Sequence, residues 1–154
     1  MMNATETDAQ ETVLAPNDAV RIAMEMHRTG HFGRAELVGW LEDRDDAFDL
    51  IVCADTLCYF GAVGAVFAAV QQALRHGGHF VFSVESADDL EGASEWRLHP
   101  HGRYAHRSDY ARDRLATAGL RQVSNVDTAL RRELGRSVAG MVFTAGGSPD
   151  QSPG

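Results

Sequence analysis

The sequence contains no lysine, since all 14 of its basic residues are arginine. A lysine nucleophile and the phosphate-binding lysine of a P-loop are therefore excluded. The chain is also acidic, with a formal net charge of −8 and a pI near 5.2. Because nucleic-acid-binding domains are typically basic, we expect no nucleic-acid partner.

Cysteine is scarce, and long apolar runs are missing. The two cysteines, Cys53 and Cys58, lie in or just after a predicted buried strand and are expected to be reduced and structural. No charged-then-apolar leader, no bilayer-length apolar run and no internal repeat are found in the sequence. We therefore expect a cytoplasmic protein with no membrane partner.

At 154 residues, 44% of them hydrophobic, the chain is expected to form one domain with its own core. Residues 1–11 are polar without an apolar face, and residues 146–154 are rich in Gly, Ser and Pro. Both segments are predicted to be disordered tails. The folded domain is predicted over residues 12–145, and its pattern of strands and helices is that of an α/β fold.

The central stretch predicts a strand, a helix and a second strand. Leu50 to Cys53 is a continuous apolar run, which is typical of a parallel strand buried on both faces. Helical spacing of apolar residues follows from Val63 to Leu74, and Gly77-Gly78 is expected to end that helix with one glycine at positive φ. Phe80 to Val84 is the second strand, so the unit predicts a βαβ crossover with parallel neighbours.

Acidic residues follow both predicted strands, Asp55 after the first and Glu85 after the second. In open α/β sheets, ligands bind in the crevice beyond the carboxyl ends of the strands. Asp55 is therefore either a ligand-binding residue or an N-cap or turn residue for the next helix.

The segments before this unit are less regular. Residues 12–15 are a short apolar run before Pro16, and Ala19 to Arg28 has the apolar spacing of a helix. His31 to Leu41 fits either a helix or a short strand.

The segment after Glu85 is long and polar. It contains Trp96, which either packs over the cleft or caps the core. Three histidines, His99, His101 and His106, alternate with Pro, Gly and Tyr. Because no paired cysteine and no His-x-x-x-His spacing accompany them, no metal site is predicted.

The C-terminal part predicts one helix and a β-hairpin. Ser108 is a candidate N-cap for a helix from Asp109 to Ala118. Two strands follow, at Leu120 to Leu130 and Val138 to Thr144, and residues 131–136 join them.

Several motifs together resemble the second half of a class I S-adenosylmethionine-dependent methyltransferase. The closer resemblance is to the predicted methyltransferases often fused to tetratricopeptide repeats, over about residues 13–145. The motifs are Asp55 with Tyr59 and Gly61, then Phe82-Ser83-Val84-Glu85, then Arg103-Tyr104-Ala105-His106 with Ser108.

This resemblance implies an incomplete Rossmann-like sheet with helices on both faces and a C-terminal hairpin. It places Val13 to Pro16 at the end of the family's second strand, so the first strand and its glycine-rich turn would fall upstream of Met1. No Gly-x-Gly pattern occurs before Gly30. In the family, glycines in that turn let main-chain amides approach the cofactor. The sequence therefore implies a truncated member that binds S-adenosylmethionine weakly.

The resemblance also implies site residues. Glu36, Asp55, Thr56 and Tyr59 are the candidate cofactor-binding residues, although the ordinary reading of Glu36 is a solvated helix position. Tyr104 and His106 are the candidate catalytic residues, because they would approach the acceptor from the loop above and His106 could accept its proton. Both can instead satisfy local hydrogen bonds only.

Three functions are consistent with these residues. The first is a methyltransferase acting on a small-molecule or protein acceptor. The second is a non-catalytic methyltransferase-like remnant, an interaction or oligomerisation module whose exposed sheet edge is covered by a partner chain or a second copy. A nicotinamide-dependent Rossmann enzyme is a weaker third, since it also requires a glycine-rich turn.

Overall fold

The computed structural model describes residues 34–92 and 94–147. The predicted N-terminal tail, the apolar run at residues 12–15 and the helix at Ala19 to Arg28 lie outside the described residues, as does the tail from residue 148. Three helices and six strands are described, with one 3-10 turn at Leu57–Tyr59. The helices are α1 (Arg34–Glu42), α2 (Gly64–Ala73) and α3 (Ser108–Thr117). The strands are β1 (Phe48–Cys53), β2 (Leu74–Ser86), β3 (Trp96–Leu98), β4 (Tyr104–His106), β5 (Arg121–Glu133) and β6 (Arg136–Gly146).

β1, α2 and β2 form the predicted crossover unit. β1 pairs in parallel with β2, with Leu50 opposite His79 and Cys53 opposite Phe82. The two apolar runs are adjacent because α2 returns the chain to the same end of the sheet. The prediction of parallel neighbouring strands bridged by a helix is confirmed.

β2 is the centre of the described sheet. β6 pairs antiparallel along one edge of it, and β5 pairs with β6. β1 and the short strand β4 share the opposite edge of β2. β1 pairs with residues 79–82 of β2, and β4 pairs with Glu85 and Ser86 of β2. β3 and β4 form a small antiparallel hairpin that lies beyond the carboxyl end of β1.

The core lies between the sheet and α2 with α3. Phe67 of α2 packs on Phe80 and Phe82 of β2, with ring centroids 5.7 and 5.1 Å apart, and Phe82 stacks on Phe143 of β6 at 5.0 Å. Arg112 of α3 lies over the ring of Phe143, which places α3 on the same face.

The opposite face is open in the described part of the chain. Leu50, Val52 and Val126 point to that side and are 56%, 47% and 68% exposed. Within residues 34–92 and 94–147, the expected second helical layer is therefore not found. β6 reaches Gly146, one residue into the predicted tail, and the N–H of Gly147 donates to the carbonyl oxygen of Gly78 at 2.8 Å.

The connection from α2 to β2 differs from the prediction. Gly77 has φ +72, as expected of one of the two glycines. However, the helix ends at Ala73, and Leu74 is already extended and paired with Phe48. Residues 75–78 bulge out opposite the single residue Asp49, so Gly77 serves a bulge inside β2 instead of a helix cap.

Candidate functional site

Asp55 begins the candidate site, directly after β1. Its φ is +52, a left-handed conformation that is uncommon for a residue other than glycine. The main-chain N–H of Asp55 donates to Oγ of Ser83 on β2 at 3.1 Å, which fixes the turn to the neighbouring strand. The carboxylate itself is 59% exposed at the carboxyl edge of the sheet.

Two arginines from distant segments converge on this carboxylate. Nη1 of Arg103 donates to Oδ1 of Asp55 at 3.0 Å. Nη1 of Arg131 lies 3.7 Å from the same oxygen, and its Nη2 donates to Oε1 of Glu85. Nε of Arg131 also donates to Glu133 at 2.8 Å. The site is therefore a charged network in which Arg131 links three carboxylates.

Glu85 is the buried member of that network, with a side chain only 4% exposed. Burial works against the charge of Arg131, but the hydrogen bonds to Glu85 and Glu133 outweigh it and raise the pKa of Arg131. A buried carboxylate is tolerated only with a partner of opposite charge, and Arg131 is that partner.

A β-bulge brings Arg131 to the correct face. Along the hairpin, Ala129 pairs with Ala139, but Arg131 pairs with Val138, so β5 contains one extra residue at this point. Without it, Arg131 would lie on the face of Met141, away from Glu85. A one-residue shift in register moves a side chain to the opposite face, so the bulge creates the Arg131–Glu85 contact.

His106 joins β4 to the turn after β1. Its ring is fully buried, and Nε2 lies 2.7 Å from the carbonyl oxygen of Phe60 and 3.0 Å from that of Gly61. Since carbonyl oxygens only accept, Nε2 must carry the proton. Burial lowers the pKa of His106 below its ordinary 6.5, more than the hydrogen bonds to Gly61 and Phe60 raise it. The imidazole is thus neutral, and Nδ1 has no hydrogen-bond partner among the described residues.

Gly61 lets the β3–β4 hairpin lie against this turn. A Cβ on Gly61 would fall 2.6 Å from Nε1 of Trp96 and 3.0 Å from Cε1 of Tyr104. Trp96 also packs on Tyr110 of α3 at 5.5 Å, and the hydroxyl of Tyr110 accepts from the N–H of Val63 at 3.2 Å. Trp96 therefore anchors the hairpin to the core beside the site.

The predicted site residues form two groups. Asp55, Thr56 and Tyr59 lie on one turn. Thr56 is 9% exposed and donates from Oγ1 to the carbonyl oxygen of Ala54. The ring of Tyr59 lies 6.0 Å from the guanidinium of Arg103. Tyr104 and His106 lie next to them on β4. Glu36 falls within α1, but its side chain lies outside the described part of the structure.

Arg103 and Arg131 were not predicted as site residues. In the sequence, Arg103 stands out only as part of a family motif, and no pattern signals its ion pair with Asp55. Arg131 falls in the predicted connection between two strands, whereas β5 continues to Glu133 in the structure. The only signal for these site residues in the sequence is an arginine near the predicted carboxyl edge of the sheet, and that signal is weak.

Glu85 also lies beside two histidines. Nε2 of His99 is 3.8 Å from Oε2 of Glu85, and the ring of His99 stacks on His101 with centroids 4.9 Å apart. His106 lies apart from this pair, on the main-chain carbonyls described above. The sequence pattern groups the three histidines with one another and gives no sign that Glu85 lies beside two of them.

Both cysteines are free and buried next to the site. Burial raises the pKa of each thiol from 9.0 to about 12, and for Cys58 the neighbouring charge of Asp55 adds to the effect. Such thiols are poor nucleophiles, so they serve as packing groups. This agrees with the structural role expected from the sequence.

Comparison with known proteins identifies the class of fold. Residues 10–82, just under half of the chain, match the family model for a methyltransferase domain. A SAM-dependent methyltransferase from Methanosarcina mazei superposes with a TM-score of 0.55 at 14% identity, over 70% of this chain and 62% of that protein. The resemblance to class I S-adenosylmethionine-dependent methyltransferases is confirmed, and the chain has their Rossmann-like α/β fold.

Two further structures show how widely the fold is used. The [4+2]-cyclase SpnF superposes with a TM-score of 0.54 at 13% identity, over 69% of this chain and 52% of that one. A Haemonchus contortus phosphoethanolamine N-methyltransferase 2, in complex with phosphomonomethylethanolamine and S-adenosylhomocysteine, superposes with a TM-score of 0.50 at 10% identity. The superposition covers 70% of this chain and 35% of that protein. The chain thus spans less than two thirds of these relatives. No curated protein matches the sequence.

Among the helices that the structure describes, none has the length and apolar character that a membrane span requires.

Proposed function

We propose that this chain is an S-adenosylmethionine-dependent methyltransferase whose cofactor lies beyond the carboxyl ends of β1 and β2. The observation that carries the proposal is Asp55, held at φ +52 by Ser83 with its carboxylate exposed at that edge. Non-glycine residues in this conformation are concentrated at ligand sites, where the surrounding structure supports the strain. Ligands of open α/β sheets bind at the same edge.

The exposed carboxylate suits this cofactor. S-adenosylmethionine offers ribose hydroxyls and an ammonium group, and both are donors for which a carboxylate is a strong acceptor. Asp55 is proposed to accept from one of them, with Thr56 and Tyr59 lining the same turn. Glu36 is proposed to lie near the adenine.

Methyl transfer requires little acid–base chemistry from the protein, since the cofactor supplies an activated methyl group with a good leaving group. Positioning of the acceptor and exclusion of water are the main contributions. We propose His106 and Tyr104 as the residues that shape the acceptor side. His106 acts through its hydrogen bonds to Phe60 and Gly61, which hold the turn, and Tyr104 packs on Gly61.

The fold alone does not decide the chemistry, because the [4+2]-cyclase has the same fold. The match to the methyltransferase family model is what favours methyl transfer. The acceptor is proposed to be a small molecule or a protein, and the chain is proposed to act in the cytoplasm, where free thiols such as Cys53 and Cys58 stay reduced. The closer relation to methyltransferases fused to tetratricopeptide repeats, and the truncation relative to them, stay predictions.

Titration with S-adenosylmethionine and S-adenosylhomocysteine, to millimolar ligand, tests this function. Asp55→Ala is expected to weaken binding about tenfold or more, the equivalent of one charge-assisted hydrogen bond. Asp49→Ala is the matched control, because Asp49 is also an exposed carboxylate paired with an arginine, Arg75 at 2.8 Å, but lies at the other end of β1. Absence of binding to the unaltered chain, or equal losses in both variants, would contradict the proposal.

A second candidate function is a non-catalytic interaction module. In the described residues, β1 pairs only with β2, and its exposed Leu50 and Val52 are unusual for a central strand. A strand from a second copy of the chain would satisfy this edge by β-augmentation. Sedimentation analysis would then give a dimer that Leu50→Glu dissociates, whereas Leu134→Glu, at the exposed tip of the β5–β6 hairpin, leaves it intact.

A further inference from the structure

Glu85, His99 and His101 form a cluster of three potential metal ligands at the carboxyl edge of the sheet. One ligand atom from each residue lies within 4.8 Å of the other two. We propose that these residues bind a divalent transition-metal ion of the zinc type. The proposal is independent of methyl transfer and concerns metal binding by this chain itself.

The distances suit coordination better than direct hydrogen bonding. Nε2 of His99 and Oε2 of Glu85 are 3.8 Å apart, too far for a hydrogen bond. Two ligands about 2.1 Å from a tetrahedral zinc ion are separated by about 3.4 Å. The pair therefore needs to close by only a few tenths of an ångström, and a ligand atom of the exposed His101 already lies within 4.8 Å of both.

Arg131 prepares Glu85 for this role. The guanidinium donates to Oε1 of Glu85, which leaves Oε2 directed at His99. Ligating carboxylates are commonly held by such an outer hydrogen bond, which fixes their orientation. Because the Glu85 side chain is buried, its remaining oxygen has little access to water and gains a partner when the ion binds.

The two histidines are held by a short, constrained turn. It connects β3 to β4, and it is closed by hydrogen bonds from the N–H of His99 to the carbonyl oxygen of Arg103 and from the N–H of Gly102 to that of His99, both 2.9 Å. Pro100 separates the histidines and fixes its own φ. The ligand spacing is thus largely set before the ion binds, which reduces the entropic cost of binding.

The ligand chemistry selects the metal. Two imidazoles and one carboxylate suit zinc, copper, nickel or iron, whereas magnesium and calcium prefer oxygen ligands. The charged groups around the site leave a net formal charge of −1, which favours binding of a cation. They are three carboxylates, of Asp55, Glu85 and Glu133, and two guanidinium groups, of Arg103 and Arg131. Three protein ligands leave a coordination position open for water or another oxygen ligand.

The test is titration of the untagged full chain with Zn²⁺ and with Mg²⁺, together with the visible absorption of the Co²⁺ form. We expect one Zn²⁺ per chain at low-micromolar or tighter affinity, no comparable Mg²⁺ binding, and the intense Co²⁺ bands of a four- or five-coordinate site. His99→Ala/His101→Ala is expected to weaken Zn²⁺ binding about 100-fold or more.

The matched control is His76→Ala/His79→Ala, which also removes two histidines, both of them exposed, but at the amino end of β2. It is expected to bind Zn²⁺ as the unaltered chain does. The His99 and His101 variants alter an exposed turn, so circular dichroism should confirm an unchanged fold. No stoichiometric Zn²⁺ binding, binding that survives His99→Ala/His101→Ala, or an equal loss in the control would overturn the proposal.

Discussion

The buried imidazole of His106 donates from Nε2 to the carbonyl oxygen of Phe60, 2.7 Å away, and so ties β4 to the turn that follows β1. This contact joins the segment carrying Asp55 to the hairpin carrying Arg103, although the two lie more than 40 residues apart in sequence. The geometry of the candidate site therefore depends on a neutral histidine.

Stability should fall in acid because of this histidine. Burial lowers the pKa of His106 in the folded protein below the ordinary 6.5 of the unfolded chain. As the pH falls below about 6.5, the unfolded state binds a proton that the folded state does not. The stability contributed by the neutral imidazole is therefore fully present above about pH 6.5 and is lost as the pH falls towards the folded pKa. Urea unfolding between pH 7.5 and 5 should show a steeper loss of stability for the unaltered chain than for His106→Gln. Parallel curves would contradict the assignment.

The pair formed by Glu85 and Arg131 should be strongly coupled. Arg131→Met leaves a buried carboxylate unpaired and is expected to cost about 3 kcal/mol of unfolding free energy. The double variant Glu85→Gln/Arg131→Met should recover a large part of that loss, since neither charge then remains. Arg132→Met, next in the chain and exposed, is the control and should change stability by less than about 0.5 kcal/mol. Additive losses in the double variant would show that the two residues do not interact.

The thiols should be protected in the folded state. With a pKa raised to about 12, Cys53 and Cys58 would each be thiolate at only about one part in ten thousand at pH 8. Reaction with a disulfide reagent is therefore expected to be more than about 100-fold slower than in the urea-unfolded chain. Cys53→Ser and Cys58→Ser, examined singly, assign the residual rate to one thiol. Rapid reaction of the native protein would mean that this region opens readily.

How much of this molecule was predictable depends on how local each feature is. The β1–α2–β2 unit follows from apolar runs and helical spacing within 40 residues, and its parallel pairing is confirmed. The β3–β4 hairpin was missed because each strand has only three residues, too few to show alternation. The position of Arg131 depends on a bulge in β5, and an irregularity of one residue leaves no pattern in the sequence.

The bulge at the start of β2 makes Gly77 specifically sensitive to substitution. Its φ of +72 strains a β-branched side chain, although a Cβ there would meet nothing within 4 Å. Gly77→Val is expected to destabilise the fold by about 1–2 kcal/mol or more, and Gly77→Asn by less, because asparagine tolerates this conformation. Gly39→Ala is the control, since Gly39 lies in α1 with open space around it. Alanine there should be neutral or stabilising by about 0.5–1 kcal/mol. Equal effects of Val and Asn at position 77 would contradict the backbone explanation.

The last prediction concerns the affinity of this chain for S-adenosylmethionine. Tight binding of a nucleotide requires a carboxylate for the ribose, an apolar slot for the adenine and closely spaced main-chain amides. The first glycine of the chain is Gly30, and no Gly-x-Gly turn follows any strand within residues 34–92 and 94–147. Two missing hydrogen bonds to charged or polar groups, each worth about 1.5 kcal/mol or more, weaken binding at least about a hundredfold.

We therefore expect a dissociation constant on the order of hundreds of micromolar for the isolated chain, measured by isothermal titration. Asp55→Ala should weaken this binding by a further factor of about ten or more, whereas Asp49→Ala should leave it unchanged. Stoichiometric binding in the low-micromolar range would mean that another part of the chain supplies the amides. The alignment of Val13 to Pro16 with the end of the family's second strand would then have to be abandoned.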